Sequence, residues 1–340
     1  MASTTTRSRL YDRPVDPRLR AYLLAQEPSD EAFVDGVFGF ALRRQPDEEA
    51  RERALEKLAE GTLSRATLLH ELVTSEEFGR IRVLDDAVAF ARGARQRGER
   101  PRRLTGPPGS DERVIEIPWV LSRLRVGRVL EVGYAFAEPS YLAGLVEAAP
   151  GELLGVDLAE AEVPGMETTV GDVRELPFPD EHVDQVLLVS TVEHVGADNE
   201  RYGLETTGDR FGISSALREV RRVLRGDGSL LVTVPAGEPG DYGWFRQDDV
   251  RGWTHQFVRS GFFVEELEVY ELHDDGWRAS PTFDAAGVRY GERGPAASAV
   301  LCAELSPRRA RRLASVDGLM RTARRRAAPT WRRVRPASEG

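Results

Sequence analysis

Cysteine is nearly absent: Cys302 is the only one in 340 residues. That excludes an internal disulfide and any zinc or iron–sulfur site built from several thiolates. Lysine is as scarce, with Lys57 alone among 47 basic residues. The five histidines, at 70, 182, 194, 255 and 273, show no close pairing, so no metal site is expected. No apolar run approaches the ~20 residues needed to span a bilayer. The opening MASTTTRSRLYDRP has no apolar core of the kind a secretory signal needs. A cytoplasmic protein with no membrane span is the expectation. A phosphate-binding GxxxxGK loop, a nucleophile elbow and the dinucleotide pattern GxGxxG are also missing, and the last absence disfavours a dinucleotide oxidoreductase.

What is present is an ordinary globular balance, 41% hydrophobic and 30% charged. The length suits one large domain and a smaller one. The net charge of −9 is unevenly spread. Residues 307–340 carry eleven arginines against Asp317 and Glu339, leaving 36 basic and 54 acidic residues elsewhere. An Arg-rich tail on an acidic body suits an acidic partner or a membrane surface.

The chain reads as five segments. Residues 1–28 are polar and expected to be disordered. Residues 29–95 form a small helical domain. Ser29 caps its first helix, Pro46-Asp47 starts the second and Ser64 caps the third, the unit ending near Ile81 and a connecting helix following over 83–95. The runs RRQPD (43–47), GTLSR (61–65) and TSEEF (74–78) resemble a small helical domain of unknown function recurrent in bacterial surface and polysaccharide proteins. Residues 96–109, rich in Arg, Pro and Gly, read as a linker. From Ser110, read as the cap of DERVIEIPWVLSRL, the pattern becomes alternating strands and helices up to 306, and 307–340 is the tail. Short apolar runs at 128–132, 153–156, 167–170, 185–189 and 229–234 are the strands of a doubly wound parallel sheet, followed by two later strands near 263–272 and 298–305.

Ligands of such sheets bind at the carboxyl ends of the strands, where the strand order switches. The first strand ends in VLEVGYAFAEPSY. Gly133 can adopt a backbone conformation closed to other residues. Ala135 and Ala137 add little bulk, and Glu131 can accept from an ammonium group. The second strand ends in GVDLAE, with Asp157, followed by Leu158, placed to accept from both hydroxyls of a ribose, since a carboxylate accepts and does not donate. Taken alone, Asp157 reads equally as a helix cap. After the third strand, Asp172 can accept from an adenine amino group while the Val173 N–H meets a ring nitrogen; the plain alternative for Asp172 is a turn residue.

Together these runs resemble the class I S-adenosyl-L-methionine (SAM) dependent methyltransferases, especially those acting on small molecules. VLEVG (129–133), GVDLAE (155–160), GDVRELPFPDEHVD (171–184), TVEHV (191–195) and ALREVRRVLRGDGSLLVTVP (216–235) match that family's motifs in order and spacing, over roughly residues 110–305. The resemblance implies an α/β fold: a doubly wound, mostly parallel, seven-stranded Rossmann-like methyltransferase sheet, preceded here by the small all-α domain. It implies SAM as cofactor, held by Glu131, Gly133, Ala135, Asp157, Leu158, Asp172, Val173 and Ser190. Two departures stand out: Ala135 and Ala137 replace the usual glycines, and residues 198–212 form an insertion above the pocket, expected to be part of a lid or acceptor site.

His194, whose side chain titrates nearest neutrality, is the candidate general base, and Glu193 the group that orients the acceptor or binds a cation. The alternative for His194 is plain packing. Arg201, Tyr202, Tyr242, Trp244 and Arg246 are candidates to line an acceptor site for a small molecule or saccharide. Two rivals remain: a non-catalytic SAM-fold binding protein in glycan assembly, and a nucleic-acid methyltransferase using the tail. The acidic body disfavours the second.

Overall fold

The computed structural model describes residues 26–149, 151–200, 203, 208–280, 287–294 and 296–307. The expectations for residues 1–25, for Arg201 and Tyr202 and for 308–340 of the tail lie outside the described residues. The chain divides into two compact units between Asp85 and Asp86.

The first unit contains α1 (Asp30–Ala41), α2 (Glu48–Ala59) and α3 (Arg65–Val73). Each begins with a side-chain cap: Ala32 N donates to Ser29 Oγ (3.2 Å), Ala50 N to Asp47 Oδ1 (2.8 Å) and Thr67 N to Ser64 Oγ (3.1 Å). Phe33, Val34, Val37, Phe38 and Ala41 lie on one stripe of α1 and close a small core with Ala54 and Leu68. The division falls inside α4, which runs unbroken over Glu76–Gln96. The expected stop near Ile81 is therefore absent: neither Pro nor an αL glycine interrupts residues 76–96 to end the helix.

The second unit is built on a sheet. Its strands are β1 (Thr105–Gly106), β2 (Val129–Val132), β3 (Leu153–Asp157), β4 (Glu167–Val170), β5 (Val183–Val189), β6 (Leu224–Pro235), β9 (Phe263–His273), β10 (Gly276–Ala279) and β11 (Ala299–Ser306); β7 (Gly240–Asp241) and β8 (Arg246–Gln247) pair separately as a ribbon. The spatial order is β1-β10-β9-β11-β6-β5-β2-β3-β4. Pairings from β4 through β6 are parallel, and β11 lies antiparallel between β6 and β9. The seven strands β4-β3-β2-β5-β6-β11-β9 make a doubly wound, mostly parallel Rossmann-like sheet.

Among the described residues the sheet has nine strands rather than seven. β10 folds back antiparallel on β9, and β1 pairs with it through Thr105↔Arg278 and Gly106↔Trp277. Two residues carry no readable periodicity, which is why the segment reads as a linker. Its arginines are also committed: Arg100 reaches Glu304 and Arg102 reaches Glu266, each at 2.8 Å. Ser110 is not a helix cap. Its hydroxyl donates to Pro107 O (2.6 Å), and α5 (Arg113–Leu121) starts after Glu112 with no side-chain cap.

Alternation along the strands assigns the two faces. Leu130, Val132, Leu154, Val156, Val186 and Leu188 pack in one core with α7 (Gly212–Val223) and α8 (Val250–Arg259). The intervening residues, Glu131 among them, face the layer of α5 and α6 (Pro139–Ala148), whose Tyr141 reaches Glu131. Among the described residues, no helix is long and apolar enough to cross a membrane.

Candidate functional site

From β2 the chain moves to β3 and β4 on one side, then returns to β5 on the other. The switch point therefore lies between the carboxyl ends of β2 and β5, where an open sheet has its crevice. A cavity of about 190 Å³ opens there, with Gly133, Asp157, Asp172, Ser190, His194 and Arg113 on its wall.

Gly133 turns the chain out of β2 with φ +88°, a region that L side chains rarely adopt. A Cβ there would stand 2.7 Å from both Thr191 Cγ2 and Oγ1. The glycine thus lets the β2 turn pass against the β5 tip, where Thr191 Oγ1 donates to Val132 O at 3.1 Å. Asp157 closes β3, 8% exposed. Its Oδ2 accepts from Ala135 N and its Oδ1 from Ala159 N, both at 2.9 Å. A carboxylate offers about four lone-pair sites, so acceptor capacity remains for a ligand. The Asp157 carboxylate also fixes the Gly133–Ala137 turn, joining two of the predicted residues in one contact.

Ser190 sits at φ +44°, its hydroxyl donating to Glu116 Oε1 at 2.7 Å. A 3₁₀ turn, Val192–His194, then brings His194 to the cavity wall. His194 Nδ1 lies 2.9 Å from the Trp244 carbonyl oxygen. A carbonyl only accepts, so Nδ1 carries a proton. Leu158 and Val173 also line the cavity.

Several predicted residues stand elsewhere. Glu131 is off the wall: strand alternation turns it into the helix layer, 1% exposed, where Tyr141 Oη donates to it at 2.8 Å. Burial pushes its carboxyl well above the usual range, with the nearby Asp157 adding to the rise against the Tyr141 hydrogen bond. Ala135 takes part through its backbone N–H, while Ala137, not Ala135, lines the cavity. Glu193 is not an acceptor-facing group. It is 2% exposed, with Oε2 lacking a hydrogen-bond partner, and burial drives its pKa up. The 3₁₀ turn presents His194 to the cavity and tucks Glu193 beneath it.

Asp172 is on the wall but occupied: Arg174 Nε reaches both of its oxygens and Nη2 reaches Oδ2 at 2.6 Å. Burial raises its pKa, and the Arg174 contacts overcome this to leave it low. Tyr242, Trp244 and Arg246 are not on the cavity wall. Tyr242 stacks on Phe245 with ring centroids 4.6 Å apart, Arg246 turns to Asp241, and Trp244 acts through its carbonyl. These aromatics are satisfied by one another on the β7–β8 ribbon.

Sequence reading missed Arg113 and Glu116. The available signal was Glu116 itself, a carboxylate inside the apolar run VIEIPWVL. Among the described residues, no group of three or more His, Cys, Asp or Glu side chains could hold a metal ion.

The family described as a methyltransferase domain matches residues 136–232, and a domain of unknown function (DUF4214) matches residues 21–81. A probable S-adenosylmethionine-dependent methyltransferase of Mycobacterium tuberculosis, found in two strains, is 32% identical over 114 residues, or 32% of this chain and 35% of the relative. The chain thus matches about a third of the length of these curated relatives. Solved structures with similarity include the YcgJ protein of Bacillus subtilis (13% identity, 57% of this chain and 99% of that one, TM-score 0.38). Another is a 1,6-didemethyltoxoflavin-N1-methyltransferase of Burkholderia thailandensis (13% identity, 68% and 88%, TM-score 0.39).

Proposed function

We propose that the protein is a SAM-dependent methyltransferase acting on a small-molecule or saccharide acceptor in the cytoplasm. The observation that carries this reading is the placement of Gly133 and Asp157 at the switch point, where Asp157 Oδ2 accepts from the Ala135 N–H of the turn that Gly133 opens. The residues suit the cofactor. The bare Cα of Gly133 leaves the β2 turn close to the cavity, and Asp157 retains lone pairs for two ribose hydroxyls. The methyltransferase-domain match over 136–232 covers Asp157, Asp172 and His194, and the M. tuberculosis relatives support the same chemistry.

When bound, the cofactor supplies an electrophilic methyl group. The protein's own contribution is alignment, exclusion of water and a base. Asp157 holds the ribose end. His194, its Nδ1 proton fixed by the Trp244 carbonyl, offers Nε2 to take a proton from an acceptor hydroxyl or amine. The saccharide acceptor, and a place in surface-glycan synthesis, rest on the resemblance of the helical unit to domains of bacterial polysaccharide proteins.

Calorimetry with SAM and S-adenosylhomocysteine tests the cofactor. Asp157→Ala should weaken both by about 10- to 100-fold, the loss of charge-assisted hydrogen bonds of about 1.5–3 kcal/mol. Unchanged affinity in a folded variant rejects the role of Asp157. Labelled methyl transfer to panels of small amines, phenols, nucleotide sugars and glycans tests the reaction. His194→Ala should slow it by roughly 10²–10⁴-fold while cofactor affinity holds. Tight SAM binding with transfer to none of the panel would favour the non-catalytic reading.

A further inference from the structure

The first residue of α5, Arg113, stands on the cavity wall together with Gly133 and Tyr141. Its side chain is 29% exposed. Arginine carries five N–H donors in a rigid fork. Within the protein, Nη1 is bound to Glu116 Oε2, and among the described residues this is the guanidinium's only hydrogen-bonding partner. Arg174, also on the wall, differs: its Nε and Nη2 go to Asp172, and its Nη1 to Asp209. Arg113 is therefore a cation with donors to spare, facing a cavity.

Its geometry is prepared from below. Glu116 is 0% exposed, and its two oxygens serve two elements: Oε2 takes Arg113 of α5, and Oε1 takes the Ser190 hydroxyl at the β5 tip at 2.7 Å. One buried carboxylate thus fixes the fork relative to the strand end from which His194 is hung. Glu112 and Asp111, just before α5, also act on Arg113, and burial raises the carboxyls of Glu112, Glu131 and Glu193.

We propose that Arg113, with Glu116 as its positioning residue, is a carboxylate-binding subsite that takes the amino-acid end of the cofactor. The inference rests on the reading of the cavity as a SAM pocket. Asp157, at the end of β3, holds the ribose in that reading, and Arg113 comes from a separate element, α5. The cofactor always brings a carboxylate, whereas an acidic acceptor would be a further assumption. A planar guanidinium matches a carboxylate with two parallel hydrogen bonds, which a point charge cannot do.

Calorimetry on the full chain with two probes tests this. S-adenosylhomocysteine has the amino-acid end; 5′-methylthioadenosine lacks it. Arg113→Met should weaken S-adenosylhomocysteine by roughly 10- to 100-fold and leave methylthioadenosine within about twofold, as expected for charge-assisted hydrogen bonds. Arg113→Lys keeps a charge beside Glu116 but loses the fork, so it should show a smaller loss confined to the same ligand. Glu116→Gln should repeat the pattern more weakly. If Arg113→Met and Arg113→Lys bind both probes as the native protein does, the subsite is overturned, and an acidic acceptor becomes the better occupant. Equal loss of both probes in the lysine variant also overturns it, leaving Arg113 a structural residue. If the native protein binds neither probe, the cofactor reading itself fails, a result distinct from either.

Discussion

Two arginines bracket α5, and they are held in opposite ways. Arg123, just past its carboxyl end, is fully buried and fully spent. Nε and Nη2 bind Glu266 at 3.2 and 3.0 Å, Nη1 goes to Trp119 O and Ser122 Oγ, and Nη2 also reaches Pro101 O. The guanidinium lies 4.2 Å from the Trp119 ring centroid. Arg113, at the amino end, has a single protein partner among the described residues and part of its surface on a cavity. The same residue type on the same short helix is a packing element at one end and a ligand-facing group at the other. Saturation of donors separates the two, because a buried donor without a partner is costly unless a ligand or water supplies one. The helical unit gives the third case, Arg51 on Asp35 at 2.7 Å with both side chains 37% exposed, where water competes for the pair.

The largest expected effect is at the saturated end. Arg123→Ala leaves Glu266 and Glu268 buried beside an empty site and should cost about 3–5 kcal/mol. Denaturant unfolding reads this, and the folded variant should bind S-adenosylhomocysteine like the parent. A loss below about 1 kcal/mol would erase the distinction between the two ends. Gly133→Ala comes next. It forces a left-handed conformation and drives a methyl into Thr191, together about 2–4 kcal/mol. Its stability loss should be accompanied by weaker cofactor binding, since the β2 turn must move. Unchanged melting temperature and affinity would show that the turn relaxes freely.

The two ends should also carry opposite pH signatures. Burial pushes Glu112, beside Arg113, up to about 7, with Glu116 adding to the rise and Arg113 opposing it. A carboxyl raised in the folded state contributes stability present below its unfolded pKa of about 4.5 and lost as pH rises through 7. Glu266, beside Arg123, is lowered: burial raises it, and Arg123 more than compensates. Its contribution is present above the unfolded value and lost as pH falls through the folded one. Glu112→Gln should therefore flatten the decline in stability between pH 4.5 and 7, and Glu266→Gln the decline on the acid side. Equal slopes in parent and variants would contradict the assignment. The smallest effect is expected at the exposed pair, where Arg51→Ala should change unfolding free energy by at most about 1 kcal/mol. A larger loss would place that pair among the structural ones.

Short-range signals in the chain were enough for much of this protein. Ser29, Asp47 and Ser64 cap their helices because a cap needs only the next three residues. The apolar runs that became β2, β3, β5, β6 and β11 are legible because burial on both faces demands continuous apolar residues. Gly133 and Asp157 could be placed at strand ends for the same reason, and a parallel sheet puts strand ends together. The tertiary structure alone decided the rest. Thr105 meets Arg278 across the chain, and a two-residue strand exists only through its partner. The turn of Glu131 into the helix layer follows from the strand's register against α6. The junction of Arg113, Glu116 and Ser190 joins residues 74 positions apart through one buried carboxylate. Periodicity reports which face a residue occupies; it does not report which distant group waits there, and that pairing is what separates a spent charge from one left for a ligand.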